Sequence, residues 1–559
     1  MIRGWLRTQA FRSMCTRILL ISILCFIVIM PSACRNRVPA SLASNSSANS
    51  INRCVALRGN GTHVLAHVTS LARITSQWGV IDALAGGSSS TISTFLYESI
   101  LNNQSVGQLT GKERAAAVSL LLKSVVGFAE ETAAEPEWRS LFAIAEIVRR
   151  LNQSGVFNGA DNDITRLASA ISTVLASEDF RGLINPAIFE MLRPEGSTES
   201  RSYRTRVLEV RKAVTALSKF DAESPDVFFR AGIIHFPGFV SMIGRLGDFY
   251  AGRGLDFTGF LKECSPGTDQ MLWHEISKKS TNSGTCGERF VSIVQQWKQL
   301  EQNRSRSRLL DRPGQNLKSI MITTIVNDPD SIKQIKEYDS LYQKGAPRQL
   351  RLDFSAVKFG YWTTDGMSES AITNWSQSSQ DAKAKKAVWL GKANNWREIL
   401  EKSPQEPSLG RYVQFAETEP ARGSLSLGGW ADLHPVQVLQ SIGCKEVIYL
   451  TRRSAESSFV SKGPPFSGRP KSGLAELLGM TEADYNQLYS LNVPTSSFSM
   501  ALHQADGVWC TDWNGFVASQ QNELATDGWN APLLTKNPAL MGWSQASSSQ
   551  RIEGCSSKF

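Results

Sequence analysis

Two hydrophobic rhythms divide the chain. Near its start, short apolar runs of strand length alternate with glycine-rich turns and helix-compatible stretches. Residues 54–57 form the first run, Gly59-Asn60-Gly61 a turn, and Val64 onward suits a helix. Residues 80–84 form the second run. It leads through the small residues of "AGGSSSTIS" straight into another helical stretch. A β-α-β-α opening predicts a mainly parallel α/β sheet. From about Lys112 the rhythm becomes helical. Leu141, Ile144, Ala145, Val148 and Leu151 share one face, with Glu146 and Arg149 opposite. This predicts a large, mainly helical insertion over about 112–310. Strand-like runs return at 319–326, 351–362 and 446–450, and the proline-rich "KGPPFSGRPKSG" marks a boundary near 462–473. Within the insertion, residues 228–250 are apolar and aromatic. Arg230, Pro237 and Arg245 argue against a membrane span there, leaving a buried helix or a lipid-facing cap.

The first residues follow another logic. Arg3, Arg7, Arg12 and Arg17 precede an apolar run at 18–30 that is short for a membrane span. "PSA" then places small residues before Cys34. Residues 1–33 read as an export signal and the Ser/Ala/Asn-rich 34–52 as a flexible tether. "SAC" resembles a bacterial lipobox, which would make Cys34 a lipidated N-terminus anchored to the membrane surface. Pro31 stands where such boxes carry Leu, and plain secretion or an uncleaved anchor fits the same residues. Without the four signal arginines the chain holds 56 basic and 51 acidic residues, a balance of +5. With no dense Lys/Arg block, this is no nucleic-acid binder. Six cysteines follow Cys34: Cys54, Cys264, Cys286, Cys444, Cys510 and Cys555. An even number after an export signal predicts disulfides, with 15 possible connectivities. Cys264 and Cys286 bracket a polar excursion and are the expected pair. No CxxC spacing implies a metal site, and no cofactor is implied.

The candidate chemistry lies in the second turn. A serine nucleophile needs an exposed hydroxyl, a base and donors for the oxyanion. A strand–Gly-x-Ser-x-Gly–helix elbow provides the exposure. Here the five residues are Gly86-Gly87-Ser88-Ser89-Ser90, with Ser90 in the place of the last glycine. A helix starting at Ser89 would aim its positive end at Ser88. A tight strand-to-helix connection without chemistry would use the same residues.

Two further stretches resemble the patatin-like phospholipases. "LRGNGTHVLAHVTSL", residues 57–71, is similar to that family's glycine-rich oxyanion loop and following helix. Gly59, Asn60 and Gly61 match the loop, while His63 takes its basic position and Val64 its last glycine. "KSPQEPSL", residues 402–409, resembles the family's AS-x-A-x-P turn. "LGGWADLHPVQVLQSIGCKEVIYLTRR", residues 427–453, resembles its DGG-x-x-D-N-x-P segment, with Gly428, Gly429, Asp432 and Pro435 in register. The resemblance implies a three-layer α/β/α fold over 53–460, interrupted by the helical insertion. Residues 461–559 form an extension that it does not cover. It also implies a serine acyl hydrolase acting on a lipid or phospholipid ester. Ser88 would be the nucleophile, and the backbone of Gly59, Asn60, Gly61, Thr62 and Ser89 would hold the oxyanion.

One position departs from the family. Its Ser–Asp dyad takes the aspartate that opens the DGG motif, where this chain has Leu427. Asp432 is the remaining carboxylate of the segment. It serves either as a replacement base or as a structural residue capping the next helix at His434-Pro435. His63, His434 and His503 offer other bases, and Ser88-Asp432-His503 follows the α/β-hydrolase triad order. That fold, however, sets several strands before its elbow, and here about one precedes it. The rival reading is a catalytically inactive protein of the same fold that binds lipid or an envelope partner.

Overall fold

The computed structural model describes residues 51–59, 64–141, 143–144, 166, 169–174, 176, 182–185, 234–301, 307–343, 357–364, 369–379, 382–383, 386–404, 413–417, 419–428, 435–452, 501, 504–511, 521–535, 537 and 540. Its strands are β1 (Arg53–Leu57), β2 (Ala83–Gly87), β3 (Ser280–Thr281), β4 (Gly284–Thr285), β5 (Lys318–Val326), β6 (Val357–Thr363), β7 (Ala387–Lys392), β8 (Val413–Gln414), β9 (Leu425–Gly428), β10 (Glu446–Arg452), β11 (Gly507–Thr511) and β12 (Leu533–Thr535). The helices that matter below are α1 (Val64–Trp78), α2 (Ser89–Leu101), α3 (Gly111–Ala133), α4 (Phe236–Tyr250), α5 (Cys286–Glu301), α6 (Pro329–Gln343), α7 (Glu369–Ser378), α8 (Trp396–Lys402), α9 (Val436–Ser441) and α10 (Gln521–Asn530).

Among the described residues, ten strands form one sheet. Its main path runs β12-β11-β10-β1-β2-β5-β6-β7, with β9 added to β5 and β8 to β9. The pairs from β11 through β10, β1 and β2 to β5 are parallel. Antiparallel pairs flank them, β12 on β11 at one side and β6 and β9 on β5 at the other. Central parallel strands are covered on both faces and so read as continuous apolar runs. "RCVAL" and "KSIMITTIV" are such runs, the second rich in β-branched residues.

Strand alternation sorts the side chains into two cores. Val55, Leu57, Leu84, Met321, Ile448 and Leu450 face the helical insertion together with α1, α2, α3, α4 and α5. Cys54, Ala56, Ala83, Ala85, Ile320, Ile322 and Tyr449 face the opposite way, against Ile335 of α6, Ile372 and Trp375 of α7, and Val436 and Leu439 of α9. The architecture is therefore three-layer α/β/α with a largely parallel sheet, and its first helical layer is much the thicker. The described part of the aromatic stretch 228–250 belongs to that layer. Phe249 of α4 makes edge-on ring contacts with Phe128 and Trp297 at 4.6 and 5.7 Å, so α4 is a buried core helix and no lipid-facing cap.

Three features go beyond the sequence reading. The second strand is shifted: it runs over Ala83–Gly87, not 80–84. Residues 80–82 form its approach, where the Ile81 N–H donates to the Tyr97 hydroxyl and Asp82 accepts the N–H groups of Asn52 and Arg53. Second, the segment 461–559 contributes β11 and β12 to the main sheet, while α10 packs on α1 through the Ser70 hydroxyl bound to the Gly528 carbonyl. Third, the bridges include a pairing that the sequence left open among its 15 connectivities. Cys264–Cys286 forms, and so does Cys54–Cys444, which ties the start of β1 to the approach of β10 across 390 residues. Cys510 is disulfide-bonded as well. These bridges are consistent with an oxidising, extracytoplasmic environment. Among the described residues no helix is long and apolar enough to cross a membrane.

Candidate active site

β2 ends in two glycines because its neighbours leave no room for anything larger. A Cβ on Gly86 would lie 2.9 Å from the Leu57 carbonyl of β1 and 2.3 Å from the Ser90 hydroxyl. One on Gly87 would lie 2.9 Å from the Ile322 carbonyl of β5. The chain then turns at Ser88 and enters α2 at Ser89. Ser88 has φ 58° and ψ −133°, a conformation that only glycine adopts without cost. It is half-buried, and among the described residues no side chain bonds to its Oγ. Ser90, in the place of the usual glycine, is fully buried and donates its hydroxyl to the Gly87 carbonyl at 2.5 Å. Thr91 donates to the Ser88 carbonyl at 2.5 Å. Two side-chain hydroxyls of the helix's first turn thus pin the tight turn from inside.

A third hydroxyl pins it from outside. Ser403, just past α8, accepts the Ser88 N–H at 3.1 Å and donates to the Ile322 carbonyl at 2.5 Å. The network continues beneath it. Thr323 of β5 shares a 2.7 Å hydrogen bond with Ser426 of β9, and Ser426 donates to the Lys402 carbonyl at 2.9 Å. Lys402 is buried and bonds Glu419 at 2.5 Å. The serine of "KSPQEPSL" therefore stands 315 positions from Ser88 in sequence and in direct contact with it. The motif is visible in the sequence, but the function of Ser403 is not. A serine after a helix carries no local sign of the peptide that it clamps.

β9 brings a second candidate stretch to the same place. β2 pairs with β5 as far as Gly87 opposite Ile322, and β9 takes over that edge of β5 with Gly428 opposite Thr324. Two strand residues span about 7 Å. Gly428, whose φ is 63°, thus ends β9 close beyond the elbow, held by Thr324 donating to its carbonyl at 3.0 Å. Residues 429–434, which carry Gly429, Asp432 and His434, connect this point to Pro435 and lie outside the described residues. So do Asn60, Gly61, Thr62 and His63, His503, and Cys34. Gly59 is described. It follows the buried Arg58, whose N–H donates to the Leu450 carbonyl between β1 and β10. Both unassigned links thus leave from the C-terminal edge of the parallel strands, where open α/β sheets place their ligands. Leu427 lies inside the second core at 3% exposure. At the N-cap of α9 stands Pro435, which has no side chain able to cap.

Other titratable groups nearby have structural employment. Glu98 sits ten residues into α2, and burial pushes its carboxyl above the usual range despite the N–H groups of Gln315 and Asn316 on Oε1, at 2.7 and 3.0 Å. His67 of α1 is buried, with Nδ1 3.4 Å from the Ser93 hydroxyl, more than a turn beyond Ser88. Among the described residues no group of His, Cys, Asp and Glu could hold a metal ion. The arrangement offers chemistry of one kind: a strained serine at the N-terminus of a helix. Comparison of the chain with known protein families, with curated proteins and with solved structures gave no match.

Proposed function

We propose that the chain is a serine acyl hydrolase of patatin-like fold that cleaves carboxylic esters of lipids, exported and held at a bacterial envelope through Cys34. One observation carries this reading: Ser88, a non-glycine residue, occupies a backbone conformation that costs roughly 1–3 kcal/mol and is typical of active sites. In the reaction, Ser88 Oγ attacks the ester carbonyl and its proton passes to a carboxylate, for which Asp432 is the candidate. The carbonyl C–O bond to the alcohol breaks, the alcohol leaves with that proton, and water then hydrolyses the acyl-enzyme. The Ser88 N–H is already given to Ser403. The oxyanion donors would therefore be the Ser89 N–H, the residue after the nucleophile, and the loop at Gly59, Asn60, Gly61 and Thr62. No metal or cofactor takes part in this scheme.

Leu427 supports a second reading, an inactive protein of the same fold that binds lipid or an envelope partner. Its side chain is buried among apolar residues and accepts no proton. Hydrolysis of a chromogenic acyl ester separates the two. If Asp432 is the base, Asp432→Asn and Ser88→Ala each lower the rate on the order of 10²–10⁴-fold. The double variant is then little worse than either single one. If Asp432 has only a structural function, Asp432→Asn keeps activity. A wild type without activity on any acyl ester that gains it through Leu427→Asp identifies the inactive fold and its missing group.

A further inference from the structure

The elbow is held by bonds of two kinds. Ser90 and Thr91 act on it from the first turn of α2. Ser90 donates to the Gly87 carbonyl, and Thr91 gives both its N–H, at 3.0 Å, and its hydroxyl to the Ser88 carbonyl. Any tight strand-to-helix turn can be closed by such local bonds. The Ser88 N–H is different, since its acceptor Ser403 comes from 315 positions away. The strand register places that hydroxyl. Gly87 is the last residue of β2 paired with β5, opposite Ile322. In a straight parallel ladder the next rung would join the Ser88 N–H to the Ile322 carbonyl. Ser403 Oγ occupies that gap, accepting from the first at 3.1 Å and donating to the second at 2.5 Å.

Ser403 is fully buried, and α8, which carries it, is fixed at both ends. Asn395 caps α8 by accepting the Glu398 N–H at 2.9 Å, and Trp396 meets Phe95 of α2 edge-on at 5.4 Å. At the other end the Lys402 carbonyl accepts from Ser426 of β9 at 2.9 Å, and Ser426 in turn accepts the Gly428 N–H at 3.3 Å. One corner, Lys402-Ser403, thus holds both the elbow and the end of the strand that leads to Asp432.

We propose, on the hydrolase reading of Ser88, that Ser403 is a positioning residue for the nucleophile: its hydroxyl, inserted between β2 and β5, holds Ser88 in its strained turn, and the Lys402 carbonyl behind it ties that turn to the end of β9. A non-glycine residue keeps such a conformation only where its surroundings over-determine it. Alanine at 403 would neither accept from the amide nor donate to the carbonyl. Without the inserted hydroxyl, the Ser88 N–H and the Ile322 carbonyl can close their own rung, which straightens the end of β2 and moves Ser88 Oγ. A misplacement of about 1 Å costs on the order of 10²-fold in rate. Ser403, buried as it is, has no surface to offer a substrate, so the loss falls on kcat and not on KM.

Full-length, disulfide-intact wild type, Ser403→Ala, Ser403→Thr and Ser426→Ala are compared on p-nitrophenyl butyrate and in the rate of Ser88 labelling by a fluorophosphonate. Rates are expressed per folded molecule, with the folded fraction taken from near-ultraviolet circular dichroism. Ser119→Ala deletes another buried hydroxyl, bonded from α3 to the Ala72 carbonyl at 2.8 Å, and controls for lost packing and stability. We expect Ser403→Ala to lower kcat and the labelling rate at least about tenfold, with KM within about twofold of wild type. Ser403→Thr, which keeps a hydroxyl, should recover part of both, and Ser119→Ala should match wild type. Combining Ser403→Ala with Ser426→Ala should be little worse than Ser403→Ala alone, because the corner acts as a unit. A Ser403→Ala variant with wild-type kcat and labelling, a loss carried by KM, or an equal loss in Ser119→Ala overturns the proposal and leaves the hydrolase reading intact. Losses that multiply in the double variant overturn the link to β9. A wild type neither active nor labelled refutes the hydrolase reading itself, and Ser403 then has no nucleophile to position.

Discussion

Replacing Ser88 by glycine should make the protein more stable than replacing it by alanine. Both changes remove the hydroxyl, so the comparison isolates the backbone. Alanine at φ 58° and ψ −133° suffers the same clash of Cβ with the backbone as serine does. Glycine escapes it. The conformation costs roughly 1–3 kcal/mol for a residue with a Cβ. Glycine's greater freedom in the unfolded chain returns about 0.5–1 kcal/mol of that. The net advantage of Ser88→Gly over Ser88→Ala is therefore about 1 kcal/mol. With an unfolding entropy near 2.1 cal/mol/K per residue, a chain of this size shifts its melting temperature by roughly 1 °C per kcal/mol. Replicate thermal melts of the two variants under oxidising conditions resolve such a shift, and urea titration gives an independent midpoint. At an ordinary helix N-cap glycine also outranks alanine but falls a few tenths of a kcal/mol below serine, so the decisive comparison is with wild type, which Ser88→Gly should exceed. If Ser88→Gly melts at or below Ser88→Ala, the turn holds no strain, and the structural case for a nucleophile at this position falls. If it melts above wild type as well, the wild type has retained a destabilising residue where a glycine would fit, the usual signature of a stability–activity trade-off.

Three other outcomes follow from the packing. Removing the Cys54–Cys444 bridge should destabilise more than removing Cys264–Cys286. Loop entropy for separations of 390 and 22 residues gives upper values of about 6 and about 3 kcal/mol, and urea midpoints of the two double-serine variants should rank accordingly. Burial lowers the Lys123 amine to about 7, with Arg73 also lowering it and Asp269 and Glu275 opposing. The unfolded chain therefore binds the extra proton between about pH 7 and 10.5, and stability rises with pH through that window. The wild type should gain about 2 kcal/mol from this group between pH 7 and 9. Lys123→Met should lose that dependence, even though Lys123 now lies 4.2 Å from the Trp529 ring centroid and donates to the Thr268 carbonyl. Ser403→Ala should cost about 1–3 kcal/mol, because it leaves the Ser88 N–H and the Ile322 carbonyl without their bridging hydroxyl. Ser403→Thr, which restores the hydroxyl, should recover part of it on the same urea titration.

What the sequence disclosed was local. Apolar runs at 54–57, 319–326 and 446–450 coincide with β1, β5 and β10, because buried parallel strands must be apolar throughout. Gly86 to Ser90 announced a crowded strand-to-helix turn, and the close carbonyls of Leu57 and Ile322 explain the crowding. Cys264 and Cys286 paired as the polar excursion that they bracket suggested. The misplacement of the second strand has a physical source. Glycines rank low as strand formers, yet here Gly86 and Gly87 are strand residues for reasons of space. Long-range partners left no local trace. Nothing around Cys54 points to Cys444, nothing in "KSPQEPSL" points to the Ser88 amide, and nothing in 507–511 shows that it joins β10 in the same sheet.

The central claim is that Ser88 is a nucleophile, and covalent labelling tests it without any assumption about substrate. The folded, disulfide-intact protein is treated with a fluorophosphonate and digested, and the modified peptide is sequenced by mass spectrometry. A nucleophilic Ser88 gives one adduct, on Ser88, that is absent after heat denaturation and absent in Ser88→Ala. An unlabelled Ser88 peptide, or equal labelling of native and denatured protein, would contradict it.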